Sequence, residues 1–272
     1  MHLRNIFLLV VIAQISFAQS ENNHKIYKIN PWIDGSIIAA GAAITFWGLD
    51  KQESLSPLPF ATINALDPND VNAFDRRAIY RDPTMLEQNL NGSDIALNIT
   101  TMSIVLLAFD KKARHHWIEG LTMYVESIAI TTAIQSWVAY GTGRIRPIAY
   151  MEDVEIGKRV DKRNSNSFYS GHAAGAATSS FFIAKMLSDL HPEWGKKRIW
   201  LFVAAVLPPA IVGNFRIGAG KHFYTDVFIG TAMGAASGIL TPHLHKIEQK
   251  TGLGIRPLIG PKFVGGYLKF TI

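Results

Sequence analysis

The sequence predicts an all-α fold, a multi-helix bundle with five to six membrane-embedded helices. Three observations predict it. Six charge-free stretches rich in Ala, Ile, Val, Leu and Phe recur at about 35–49, 95–109, 127–143, 173–184, 199–215 and 227–242, and helix is the state that suits them. Hydrophobic residues make up 48% of the chain and charged ones 18%, where an ordinary soluble domain has roughly 25% charged residues. The net charge of +6 is not gathered in one basic arm. It is scattered as Lys111-Lys112-Ala113-Arg114, Lys196-Lys197-Arg198 and Lys246 beside the apolar stretches, a pattern that reports membrane orientation and gives no nucleic-acid partner.

Taken in order, the N-terminus reads as a secretory signal over residues 1–18. Arg4 is a positive start, 6–12 an apolar run, and Ser16-Phe17-Ala18 offers small residues for cleavage after Ala18. The chain has no cysteine, so it holds no disulfide and no thiolate metal site. Residues 19–94 combine the first apolar stretch with a polar exported loop from Asp50 to Asp94, which carries Asp75-Arg76-Arg77 and Arg81-Asp82. That loop either caps an active face, lies on lipid headgroups, or is a solvated connection. Residues 95–250 form the helical core. Its stretches fall short of the ~20 residues of a standard span, and flanks such as 121–125 and 185–187 lengthen them. Pro208-Pro209 kinks the fifth stretch. The small residues of Gly230–Gly238 (GTAMGAASG) suit close helix packing in lipid. Residues 251–272 form a tail, strand or disordered.

If stretches two to six all span, the basic clusters share one face, cytoplasmic by the positive-inside rule. The polar blocks at the other helix ends then face the periplasm. A cleaved leader followed by a spanning first stretch would invert this orientation. Either the first stretch is interfacial or re-entrant, or the leader is processed differently, and both stay open.

Three short polar blocks end the apolar stretches. His222 and Asp226, four apart, can stack on one helical face, with the carboxylate fixing one imidazole nitrogen and leaving the other as nucleophile. Arg216 closes the fifth stretch, and its fork suits two phosphate oxygens. Gly218 and Gly220 between them let the backbone turn. In Ser170-Gly171-His172 a hydroxyl and free amides at a helix start favour an anion, and His172 suits proton donation to a departing oxygen. Arg144 and Arg146-Pro147 end the third stretch with two further cations. No cluster has metal-ligand spacing, and no metal or cofactor is expected. His115-His116 and His243-x-His245 fall at the opposite ends and read as interfacial side chains.

In this order the blocks resemble the type-2 phosphatidic acid phosphatase and vanadium haloperoxidase superfamily, whose signature is KX6RP, PSGH and SRX5HX3D. Arg146-Pro147, Ser170-Gly171-His172, and Arg216 with His222 and Asp226 match it, and 127–245 resembles its bacterial membrane branch. Three positions depart. The signature lysine falls on Ala139, Tyr169 replaces a proline, and Phe215 replaces a serine. Arg144 and Lys221 are the cations at hand to replace the lysine. The resemblance implies a metal-independent enzyme that hydrolyses a lipid phosphate or diphosphate through a phosphohistidine. His222, His172 and Asp226 would be catalytic, and Arg146, Ser170, Gly171, Arg216 and Arg144 would bind the phosphate. The implied partners are a phosphorylated lipid and the bacterial inner membrane, with the site facing the periplasm. Competing readings are a soluble periplasmic acid phosphatase, a vanadate haloperoxidase, and an idle phospholipid-binding membrane protein.

Overall fold

The structure, a computed structural model, describes residues 25–247, 252–260 and 263–271. The expected signal at 1–18 lies outside these residues. Two compact units divide the chain, Ile29–Leu244 and the two chain ends. In the latter, the Lys28 amide donates to the His245 carbonyl at 2.8 Å. There too, β1 (Gly252–Gly260) pairs antiparallel with β2 (Phe263–Thr271), so the tail is a strand pair.

The larger unit is a helical bundle. Its long helices are α1 (Pro31–Glu53), α2 (Leu86–Met102), α3 (Trp117–Thr142), α4 (Gly171–Leu190), α5 (Ile199–Ala205), α6 (Leu207–Gly218) and α7 (Tyr224–His245). α1, α3, α4 and α7 run longer than their apolar stretches because polar first and last turns join them. Asn30 caps α1 by accepting from the Trp32 and Ile33 amides, satisfying donors that a helix start leaves unpaired. α5 stops at Ala205 and α6 starts at Leu207, because Pro208 and Pro209 carry no N–H for the turn before them. Among the described residues, four segments are long and apolar enough to cross a membrane: 31–53, 83–109, 192–218 and 224–245. Trp32, Phe46, Ile99, Phe109, Trp200 and Phe228 stand mostly exposed on them, an apolar shell that hydrocarbon would cover and water would not tolerate.

α4 is the inner helix. It packs on α2, α3 and α6, and the glycines of α7 seat on its backbone. A Cβ added at Gly230, Gly234 or Gly238 would sit 2.5, 2.1 or 2.5 Å from the carbonyl oxygens of Ser170, Ala174 and Thr178. The small-residue run therefore sets a close helix crossing, as its composition predicts. Hydroxyl pairs stitch the interior, Tyr124 to Ser179 and Thr131 to Thr178, both at 2.9 Å.

The first apolar stretch lies within one unbroken helix packed along α3. Gly41 lies against Ala129, Thr45 bonds Thr132 at 3.1 Å, and Gly48 lies against Ser136. The pairs rise together, so α1 and α3 run parallel. The ends of α1, α3 and α6 and the starts of α2, α4 and α7 consequently share one end of the bundle. The basic loops lie at the other end, where Lys112 reaches the Leu190 carbonyl at 3.0 Å and Glu193 at 2.8 Å.

Candidate active site

The three polar blocks meet at the first of these ends. Gly143, at φ +60°, turns the chain out of α3 and delivers Arg144 and Arg146. Ser170 caps α4, its hydroxyl accepting from the Ala173 amide at 3.4 Å. Gly220, at φ +65°, turns the chain between α6 and α7, and its carbonyl accepts from the Ile148 amide at 2.9 Å. A side chain at Gly220 would meet Ile148 Cβ at 3.0 Å. The turn that carries His222 is thus locked to the loop that carries Arg146.

A cavity of about 520 Å³ opens here, lined by Arg146, Arg163, Arg216, Lys221, His172 and Asp94, with Leu90 and Leu97 as apolar wall. Four cations face one carboxylate, so the cavity is suited to an anion. Asn166 Oδ1 accepts from Arg146 Nη2 at 2.8 Å and Nε at 3.2 Å, while its Nδ2 donates to Gln52 Oε1 at 2.9 Å. Burial first, then the neighbouring Arg216, push the Arg146 guanidinium down to about 9. Arg216 is buried, weakly bonded to Ser93 Oγ at 3.4 Å and 4.0 Å from Asp94. Its Nε is buried with no hydrogen-bond partner, an unmet donor of the kind an oxyanion would satisfy.

His222 is only 3% exposed and is not among the residues that line the cavity. Its Nδ1 lies 2.7 Å from the Ser167 carbonyl. A carbonyl only accepts, so Nδ1 carries the proton and Nε2 keeps its lone pair. Burial, then the charges of Arg146 and Arg216, hold the imidazole well below its ordinary pKa despite that carbonyl. It is neutral at physiological pH.

The four-residue spacing predicts that the ring is held directly by a carboxylate, whereas in the structure Asp226 does not hold it. Its Oδ2 is 3.9 Å from Nδ1, because α7 begins at Tyr224 and His222 precedes it. Asp226 instead accepts from Ser167 Oγ at 2.6 Å, from the Phe223 amide at 2.8 Å, and from Arg144. It fixes the two segments between which the ring sits.

His172 Nε2 lies 2.9 Å from Asp94 Oδ1. Burial, then Arg216, lower its pKa to about 4, with Asp94 opposing and Arg146 reinforcing the effect. A bound phosphate would offset both guanidinium groups and restore its affinity for a proton.

Arg144, expected beside the phosphate, lies elsewhere. It is clamped by Asp75 at 2.8 Å, by Thr225 Oγ1 at 2.8 Å and by Asp226, with its guanidinium over the Phe223 ring. Two buried carboxylates outcompete a solvated anion for it. Ser170 and Gly171 are present at the start of α4, but the hydroxyl is engaged as the cap and neither lines the cavity. Ala139 is buried within α3. The Phe215 ring packs on α2 where a Gly92 side chain would sit, 3.0 Å away, which accounts for an aromatic in place of serine.

Sequence reasoning missed Asp94, Asn166 and Ser167, and it saw Asp75 only as part of a loop. Asp94 had one signal, being the last charge before an apolar stretch. Asp75 is fully buried and accepts from the Thr225 hydroxyl at 2.6 Å and amide at 2.9 Å and from Asn72 at 2.8 Å. Burial alone would raise its pKa, but Thr225, Asn72 and Arg144 outweigh it and hold the carboxyl below its usual range.

The larger unit is a helical bundle with apolar segments of membrane-crossing length, and one end of it gathers cations around a cavity suited to an anion. Residues 120–250, most of the helical core, match the family model of the PAP2 superfamily. Two solved structures are similar to it. One is a transmembrane PAP2-type phosphatidylglycerolphosphate phosphatase from Bacillus subtilis, 20% identical, covering 74% of this chain and 93% of its own, with a TM-score of 0.40. The other is Aquifex aeolicus LpxE, 26% identical, covering 61% of this chain and 90% of its own, also with a TM-score of 0.40. No curated protein sequence matches the chain.

Proposed function

We propose that the protein removes phosphate from a lipid phosphate or diphosphate through a phosphohistidine at the outer face of the cytoplasmic membrane. The observation that carries this reading is His222, buried and neutral, with Nδ1 occupied by the Ser167 carbonyl, next to two guanidinium groups. Nε2 attacks phosphorus, the N–P bond forming as the bond to the lipid oxygen breaks. Arg146 and Arg216 bind the non-bridging oxygens, and the start of α4 at Ser170 and Gly171 adds amide dipoles. The lipid oxygen leaves with the proton of His172, whose ring Asp94 orients. Water then gives a proton to His172, attacks phosphorus and breaks the N–P bond. The apolar flanks of the bundle hold the lipid tail. The test is phosphate release from phosphatidate, phosphatidylglycerol phosphate, undecaprenyl diphosphate and a lipid A phosphate, with chelator present. At least one should be hydrolysed, and no release from any would remove the reading.

The orientation follows from the basic loops. With the site exported, Lys111–Arg114 and Lys196–Arg198 lie in the cytoplasm, and α1 enters the membrane from that side. A cleaved leader would demand the reverse. The chain lacks cysteine, so single cysteines report cleanly. At Glu152 on the site end and Lys197 on the basic end, both exposed, an impermeant maleimide should label intact cells at position 152 and not at 197. The opposite pattern places the site in the cytoplasm.

A further inference from the structure

We propose that Lys221 is a phosphate-gripping cation of this site and fills in space the role for which residue 139 supplies no charge, an assignment that rests on the phosphatase reading above. Its side chain lines the cavity with Arg146, Arg216 and His172. Its backbone is pinned by the amide, which donates to the Arg216 carbonyl at 3.1 Å. The turn that positions the nucleophile therefore positions this ammonium too.

The charged groups around it are mostly of its own sign. Arg146, Arg163 and Arg216 act on it, Asp161 is the acid that opposes them, and Asp94 and His172 share the cavity from α2 and α4. Among the described residues no acceptor bonds the ammonium, whereas Arg163 is paired with Glu53 at 2.8 Å and Arg144 with Asp75 and Asp226. Burial, then Arg146 and Arg216, push the Lys221 ammonium down to about 8. A partly buried cation left among cations gains most when an anion joins them. Arg144 is spoken for and Ala139 is buried in α3, so Lys221 is the candidate that geometry leaves available.

The experiment compares Lys221→Met, which keeps the length and loses the charge, with Lys221→Arg, which keeps the charge at every working pH. Two quantities are read, hydrolysis of a short-chain phosphatidate across pH and calorimetric affinity for inorganic phosphate. Lys221→Met should lose about 10- to 100-fold in kcat/KM and bind phosphate about 10-fold more weakly, as loss of a charged hydrogen bond implies. Lys221→Arg should keep most of both and move the alkaline limb of the pH profile upward, because a guanidinium stays charged where the lowered Lys221 ammonium does not. A merely structural lysine would not move that limb. Lys221→Met with wild-type kcat/KM and wild-type phosphate affinity overturns the assignment and leaves the phosphatase reading standing. Wild type that binds phosphate yet hydrolyses no lipid phosphate overturns the phosphatase reading, and the phosphate affinities alone then decide on Lys221. Wild type that neither binds phosphate nor hydrolyses a lipid phosphate overturns both.

Discussion

His222→Ala should release phosphate from no lipid substrate, with kcat falling on the order of a million-fold, as when a covalent nucleophile is deleted. The size follows from geometry. Nδ1 is committed to the Ser167 carbonyl at 2.7 Å, so Nε2 is the one atom of the ring able to form a bond to phosphorus. No neighbour can replace it, because His172 is bonded to Asp94 and the remaining charged groups of the cavity are cations. Phosphate affinity should persist in the variant, since Arg146 and Arg216 remain. Wild-type enzyme quenched in alkali during turnover of labelled substrate should carry label that acid removes, the behaviour of a phosphoramidate, and His222→Ala should carry none. Label on a variant lacking this imidazole would assign the chemistry to another group.

Asp75→Ala should be the most damaging change outside the family core. Asp75 is fully buried and bonds Arg144, Thr225 and Asn72. Removing it leaves Arg144 with Asp226 as its one carboxylate and the Thr225 amide unpaired, at a cost of about 1–3 kcal/mol by the measure of an unsatisfied buried polar group. Thermal unfolding in detergent should show a clearly lowered midpoint, with a smaller drop for Asp75→Asn. The pH dependence has a definite sign. The folded-state pKa lies below the ordinary value of 3.8, so the contribution is complete above the unfolded pKa and is lost as pH falls through the folded one. Between pH 5 and 8, about the range of greatest stability for most proteins, the difference between wild type and Asp75→Ala should be constant. An unchanged midpoint would mean that the clamp holds nothing.

What the sequence revealed and what it hid divide along physical lines. Helices were legible because apolar composition and proline act locally, and the break at Val206 beside Pro208 is an example. The glycine stripe of α7 was legible because its four-residue spacing is itself the packing surface. The convergence of Arg146, His172, Arg216 and His222 was legible through the order and spacing of the blocks. Arg144 was misjudged because two arginines two residues apart look equivalent until their partners are known, and its partner lies 69 residues away. Asp94 and Asn166 leave no periodic mark, and only the folded bundle brings them to His172 and Arg146. The direction of α1 needed its neighbour α3, a contact that no local pattern encodes.

The Gln52–Asn166–Arg146 chain has a practical consequence for protein engineering. Its first link comes from α1, which precedes the family-matched segment by more than a full helix. Grafting 120–250 onto a foreign bundle would import the reactive side chains without the strut that aims one of their guanidinium forks. A transplant that respects this geometry must carry the N-terminal helix along, and the smallest portable catalyst in this chain is larger than its recognisable signature.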